Sequence, residues 1–141
     1  MNESRKLPST LIVIPCLNEE THIGGLLSKL LRTTAHLDVR IVVADGGSTD
    51  ATVSIVEKIM AGTDRAALVH NPRRLQAPAV NLAVERFGDG YEFLLRVDAH
   101  GRYPSDYCER LLEDACRMGA DSVVVSMRTE GRSRFQQATA A

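Results

Sequence analysis

Five short apolar runs constrain the fold of this chain more than any other feature. They lie at residues 9–14, 39–44, 66–70, 91–97 and 122–127, and four of them are nearly continuous. Continuous rather than alternating apolar runs are the pattern of strands buried on both faces. The segments after the first four carry helical spacing instead. Ile23, Leu26, Leu27, Leu30 and Leu31 form one stripe, and Val53, Val56, Ile59 and Met60 a second. Val80, Ala83, Val84 and Phe87 make a third, and Tyr107, Leu111, Ala115 and Met118 a fourth. Such i, i+3, i+4, i+7 positions share one helix face. Pro78 and Pro104 suit helix starts, and Gly62, Gly88 and Gly119 suit helix ends. The runs recur at roughly the 30-residue interval of a strand–helix–strand unit. Right-handed crossovers of that kind build a parallel sheet with helices on its faces. The expectation is one α/β, Rossmann-like domain with a mostly parallel sheet and helices on both faces.

The 141 residues suffice for one such domain with a core of its own. Residues 1–8 read as a loose lead-in, 9–127 as the domain, and 128–141 as a polar, small-residue tail. A net charge of -1 argues against nucleic acid or a membrane surface as a partner attracted by bulk charge. No apolar run approaches a bilayer span, and Leu11–Ile14 is too short for a signal-peptide core. The 3 cysteines, Cys16, Cys108 and Cys116, show no metal-ligand spacing or nucleophile arrangement. Reduced thiols and a cytoplasmic location are expected.

Parallel α/β sheets bind ligands beyond the carboxyl ends of their strands. Here those loops are 15–20, 45–50, 71–76 and 98–104, all polar. The second follows an apolar strand with Asp45-Gly46-Gly47-Ser48-Thr49-Asp50 and a helix start. Asp45 can accept hydrogen bonds from a base edge or ribose hydroxyls; it can also simply hold the turn. Gly46 and Gly47 suit either positive φ or close ligand approach. Ser48 and Asp50 are placed to cap the following helix. Asn18 reads either as a helix N-cap or as a polar wall of a base pocket. Glu19 and Glu20, in a first helical turn, suit the helix macrodipole. Arg73 and Arg74 are paired cations at a strand end, fit for phosphate. Asp98 and His100, two residues apart after the fourth run, can face one divalent ion bridging a diphosphate. Imidazole is a softer ligand that suits Mn²⁺ better than Mg²⁺. His22, His36 and His70 have no such spacing and read as structural. No P-loop, GxGxxG after the first strand, or GxSxG elbow is present.

Three ordered motifs together resemble the family 2 glycosyltransferases, which have the nucleotide-sugar-binding GT-A fold. They are Val13-Ile14-Pro15-Cys16-Leu17-Asn18-Glu19-Glu20, Val43 through Thr52, and Arg96-Val97-Asp98-Ala99-His100. The loop from Asn71 to Asn81 and the Asp-Ala-His triplet are most similar to bacterial exopolysaccharide enzymes of the succinoglycan-biosynthesis type. The resemblance implies that Pro15, Asn18 and Glu19 line the nucleotide pocket and Asp45 binds the base. It places Arg73 or Arg74 near base and phosphates, Asp98 on ribose or metal, and His100 where the family's metal-binding second Asp stands. That replacement removes one negative charge from the metal site.

The implied activity is nucleotide-sugar-dependent, inverting glycosyl transfer in polysaccharide or glycolipid biosynthesis. A UDP-sugar would be the donor, a glycan or lipid-linked molecule the acceptor, and Mn²⁺ or Mg²⁺ the cofactor. Family members place the acidic catalytic base well beyond the Asp-x-Asp, so the base is expected beyond Ala141. The chain is therefore expected to be the donor-binding part of a longer enzyme. Residues 135–141 would be the start of an element cut short, and the parent would sit at the cytoplasmic face of a membrane. Two rivals are a nucleotidyltransferase, which would carry a glycine-rich basic loop after the first strand, and a non-catalytic nucleotide-binding fragment.

Overall fold

The computed structural model describes residues 6–126 and Arg128. Four strands, β1 (Thr10–Cys16), β2 (Val39–Asp45), β3 (Ala66–His70) and β4 (Phe93–Arg96), alternate with helices α1 (Ile23–Thr33), α2 (Thr52–Met60), α3 (Gln76–Phe87) and α4 (Tyr107–Met118). All strand pairings are parallel, in the order β3-β2-β1-β4. The chain moves outward from β1 to β2 to β3, then crosses back to the far side of β1. That reversal puts α1 and α2 on one face and α3 on the other. One core layer holds Ile12, Ile14, Ile41 and Val43 against Ile23, Leu27 and Val56, with Cys108 of α4. The second holds Leu11, Val13, Val42 and Ala44 against Ala79 and Ala83. Strand residues therefore alternate between two buried layers, which is why their runs are continuously apolar.

The strand β1 continues through Pro15 to Cys16, past the expected end at Ile14. The Val13 carbonyl accepts the Val97 N–H at 3.0 Å, so Val13 faces the β4 side, and by alternation so does Pro15. The β1–β4 pairing ends at Val13 and Arg96, so the missing proline N–H has no ladder to interrupt there. The third strand matches its expected span, and β4 is shorter than 91–97.

Two helix faces are rotated from expectation. In α3 the fully buried residues are Ala79 and Ala83, while Val84 is 40% exposed. Small side chains let the helix approach the sheet, and Val80 and Phe87 pack at its flanks. In α4 the stripe is Cys108, Leu112 and Ala115, and Met118 is 63% exposed. Glu19 and Glu20 precede α1 rather than occupying its first turn. A fifth strand does not form in the described residues: 122–126 have no strand partner, and Val124 is 93% exposed. A valine run extends as a strand only where an edge and a covering layer accept it. Met127, residues 1–5 of the lead-in and 129–141 of the tail lie outside the described residues.

All three thiols are free. Burial first, then the neighbouring Asp45 carboxylate, pushes Cys16 up to about 12; burial pushes Cys108 up to about 11. The reactive species is the thiolate. Iodoacetamide at about pH 8 should therefore alkylate only Cys116 in the folded protein and all 3 cysteines after denaturation, as read by mass spectrometry. Comparable native labelling of Cys16 and Cys116 would contradict that burial.

Candidate functional site

The strand order reverses between β1 and β4, and the loops leaving those strands part there. A cavity of about 230 Å³ opens at this point over the carboxyl ends of β1 and β2. Its wall includes Pro15, Glu19, Arg74, Gln76, Asp98 and His100. Five of these were expected from sequence; Gln76 was not. Asn18, Asp45 and Arg73, also expected, do not line it.

Asp45 is turned into its own loop. The residue is 4% exposed, and Oδ2 accepts the N–H groups of Gly47 and Ser48, each at 3.0 Å. Oδ1 accepts the Ser48 hydroxyl in a short bond and the Cys16 thiol at 3.8 Å. The four acceptor positions of a carboxylate are thus all in use. Of the two readings of Asp45, base reader and turn holder, these contacts are those of the turn holder. Gly47 has φ +94°, which glycine adopts without cost. Gly46 serves close approach by the chain itself, because a Cβ there would stand 3.2 Å from the Arg74 Cα.

Asn18 neither caps α1 nor walls the pocket; it clips two loops together. Its Oδ1 accepts the Thr49 N–H at 2.8 Å, and its own N–H donates to Ser48 Oγ at 2.8 Å. The left-handed φ of +53° that allows this is one asparagine tolerates. The clip continues residue by residue. Glu19 N–H donates to Thr52 Oγ1 at 2.8 Å, Glu20 N–H to Asp50 Oδ2 at 3.2 Å, and Ala51 N–H to Glu20 Oε2 at 2.9 Å. Asp50 also accepts the Thr52 N–H at 2.9 Å. Desolvation is the largest single influence and would raise the Asp50 carboxyl, but the hydrogen bonds from the Thr52 hydroxyl and the Thr52 and Glu20 N–H groups together outweigh it and hold the group below its ordinary value. The Asn-Glu-Glu and Ser-Thr-Asp motifs are thus two halves of one loop pair.

On the β3 side, Asn71 is 2% exposed and frames its loop, donating from Nδ2 to the Leu75 carbonyl at 2.8 Å. This holds Arg74 at φ +61° beside the Gly46–Gly47 turn, whereas Arg73, on the same exposed loop, does not line the cavity. Of the two cations, Arg74 is the one that lines the cavity.

On the β4 side, Arg96 donates to Asp98 Oδ1 from Nη2 at 3.0 Å and Nε at 3.3 Å, and to Gln76 Oε1 in a short bond. The Tyr103 hydroxyl accepts the Asp98 N–H at 2.9 Å. A Cβ on Gly101 would meet that hydroxyl at 2.4 Å, so glycine makes room for the clamp. Burial raises the Tyr103 phenol above its ordinary value. His100 Nδ1 lies 3.1 Å from Glu19 Oε1. Arg96, Gln76 and Tyr103 escaped sequence reading because their roles depend on side-chain geometry, between segments for Arg96 and Gln76 and within the 98–104 loop for Tyr103; Arg96 beside Asp98 was the one available hint. No three His, Cys, Asp or Glu side chains cluster to hold an ion by themselves among the described residues.

The sequence pattern of the family described as Glycosyl transferase family 2 matches residues 11–140. The chain belongs to that family. The chain is 54% identical over 132 residues to the succinoglycan biosynthesis protein ExoA of Rhizobium meliloti (strain 1021), covering 94% of this chain and 40% of that protein. It thus spans well under half the length of that relative. The mannosyltransferase PcManGT from Pyrobaculum calidifontis, solved with GDP-Man and Mn²⁺, is similar at TM-score 0.63 and 28% identity. That match covers 72% of this chain and 30% of PcManGT. The 1–349 portion of Staphylococcus aureus TarS shares the fold at TM-score 0.61 and 20% identity, over 86% of this chain and 39% of TarS. The sheet and its helices accordingly belong to a GT-A fold. No described helix is long and apolar enough to cross a membrane.

Proposed function

We propose that this chain forms the donor-binding side of a nucleotide-sugar-dependent, inverting glycosyltransferase of exopolysaccharide biosynthesis. The observation that carries this reading is the cavity at the β1/β4 divergence, where Glu19, Arg74, Asp98 and His100 meet. It holds a cation on one wall and a carboxylate–imidazole pair on the other. A nucleoside diphosphate needs both: positive charge for its phosphates and ligands for a bridging ion.

The residues fit a divalent ion. Asp98 uses Oδ1 for Arg96, and Oδ2 makes no bond among the described residues. His100 uses Nδ1 for Glu19, which leaves Nε2 to coordinate. Two protein donors, completed by diphosphate oxygens and water, suit Mn²⁺. Bound there, the ion would stabilise negative charge developing on the departing nucleoside diphosphate. Arg74 adds fixed positive charge from the opposite wall. The Asn18–Ser48 clip keeps Glu19 and the β1 loop in place as the floor. Pro15 and the apolar end of β1 exclude water beneath the base. No residue of this chain is assigned the acceptor base; we assign it to the part of the relatives' length that this chain does not match. The donor nucleotide is proposed as UDP, with GDP as the comparison because PcManGT was solved with GDP-Man.

Isothermal calorimetry of the folded chain with UDP and with GDP, each with and without Mn²⁺, tests the proposal. Saturable binding of one of them, strengthened by Mn²⁺ and weakened in Asp98→Asn, is expected. A folded sample that binds neither nucleotide in the presence of Mn²⁺ would overturn it.

A further inference from the structure

Glu19 does more in this site than wall a nucleotide pocket. Its backbone is fixed at both ends, with N–H on Thr52 Oγ1 at 2.8 Å and its carbonyl accepting the Ile23 N–H at 2.9 Å. Its side chain is only 19% exposed, yet it touches two imidazoles that lie on different loops. Oε2 is 3.0 Å from His22 Nδ1, and Oε1 is 3.1 Å from His100 Nδ1. An ionised carboxylate offers lone pairs and no proton. Each imidazole must therefore place its hydrogen on Nδ1, and the neutral His100 ring then carries its lone pair on Nε2.

We propose that Glu19 is a positioning residue that sets the tautomer and ring plane of His100, so that Nε2 is the coordinating atom. A neutral imidazole has two tautomers, and the partner of one nitrogen decides which nitrogen is left to bind. Carboxylates behind metal-bound imidazoles act in this way and change affinity when lost. The Asp-x-His pair therefore includes a third member, 81 residues away in sequence. His22 occupies the other oxygen, and the contact to His100 does not depend on it. This also accounts for a histidine in place of a second carboxylate: the negative charge is supplied one bond further back, by Glu19. The ligand role of His100 rests on the function proposed above, whereas the tautomer does not.

The test is ¹⁵N–¹H correlation NMR of the imidazole nitrogens in the ¹⁵N-labelled chain at about pH 8.5, two units above the ordinary imidazole value of about 6.5. His100→Gln assigns the signals. The native chain should show His100 protonated on Nδ1 with a bare Nε2. Glu19→Ala should move it to the Nε2–H form. Glu19→Gln, whose amide oxygen still accepts, should restore the native pattern, and His22→Ala should leave it in place. Mn²⁺ affinity, followed by the ion's EPR signal, should fall 10–100-fold in Glu19→Ala and recover in Glu19→Gln. An unchanged His100 tautomer in a folded Glu19→Ala protein would overturn the inference. A tautomer that changes as expected in a chain that never binds Mn²⁺ would uphold the positioning and reject the metal reading.

Discussion

Asp45→Ala is expected to lower the melting temperature by roughly 10 °C in the absence of any ligand. The substitution strands the N–H groups of Gly47 and Ser48, which now donate to Oδ2 at 3.0 Å each. Hydrogen bonds to a charged group contribute about 1.5–3 kcal/mol, and leaving buried donors unmet costs a similar amount. A total of about 3 kcal/mol is therefore reasonable. The effect spreads, because Ser48 Oγ both donates to Asp45 and accepts from the Asn18 N–H at 2.8 Å. Once Ser48 is free to rotate, the clip that seats the β1 loop loosens, and Glu19 moves with it. Asp45→Asn should fall between, since one carboxamide oxygen remains while the NH₂ faces donors. Differential scanning calorimetry distinguishes this from a base-reading role. A base reader would leave the unliganded melting temperature within about 2 °C of the native value and lose affinity only.

Replacing Arg74 should cost nucleoside diphosphate affinity about tenfold to a hundredfold, and Arg73→Ala less than about twofold. One charge-assisted contact to phosphate is worth about 1.5–3 kcal/mol, and 1.4 kcal/mol is tenfold in affinity. Arg74 lines the cavity and Arg73 does not. The backbone adds a control. Arg74 has φ +61°, where a side chain is strained. Arg74→Gly should therefore keep or raise the melting temperature by relieving that strain, while losing as much affinity as Arg74→Ala. Parallel calorimetric titrations of the three variants decide the matter. Equal losses for Arg73→Ala and Arg74→Ala would show that loop charge, rather than the placement of one guanidinium, carries the phosphate contact.

The layered sheet was readable because both its faces are buried. Continuous runs such as Leu11-Ile12-Val13-Ile14 tolerate few other environments, and Ala66–His70 matched residue for residue. Helix positions were readable from spacing, but helix faces only roughly. The buried stripe of α3 passes through Ala79 and Ala83 because closeness to the sheet, not side-chain size, decided it. The valine run at 122–126 shows the converse: apolar composition does not make a strand without a neighbour to pair with.

At the site, sequence alone determined which loops gather and which kinds of group they bring. Strand order in a parallel sheet sends every carboxyl end to one edge, so Pro15, Glu19, Arg74, Asp98 and His100 were bound to be near one another. Assigning each residue its task needed the tertiary structure. Asp45 and Asn18 carry the most conspicuous motifs, yet their polar atoms are used within and between loops. Arg96 and Gln76 gained roles from each other across 20 residues of chain, and Tyr103 from the fold of its own loop onto Asp98. The physical reason is directional. A sequence pattern reports whether a side chain favours water or the core, which is a property of each residue and its spacing. A hydrogen bond needs an acceptor within about 3 Å at the right angle. Whether Glu19 finds His100, or Asp45 finds its own turn, is decided only when the loops are folded against one another.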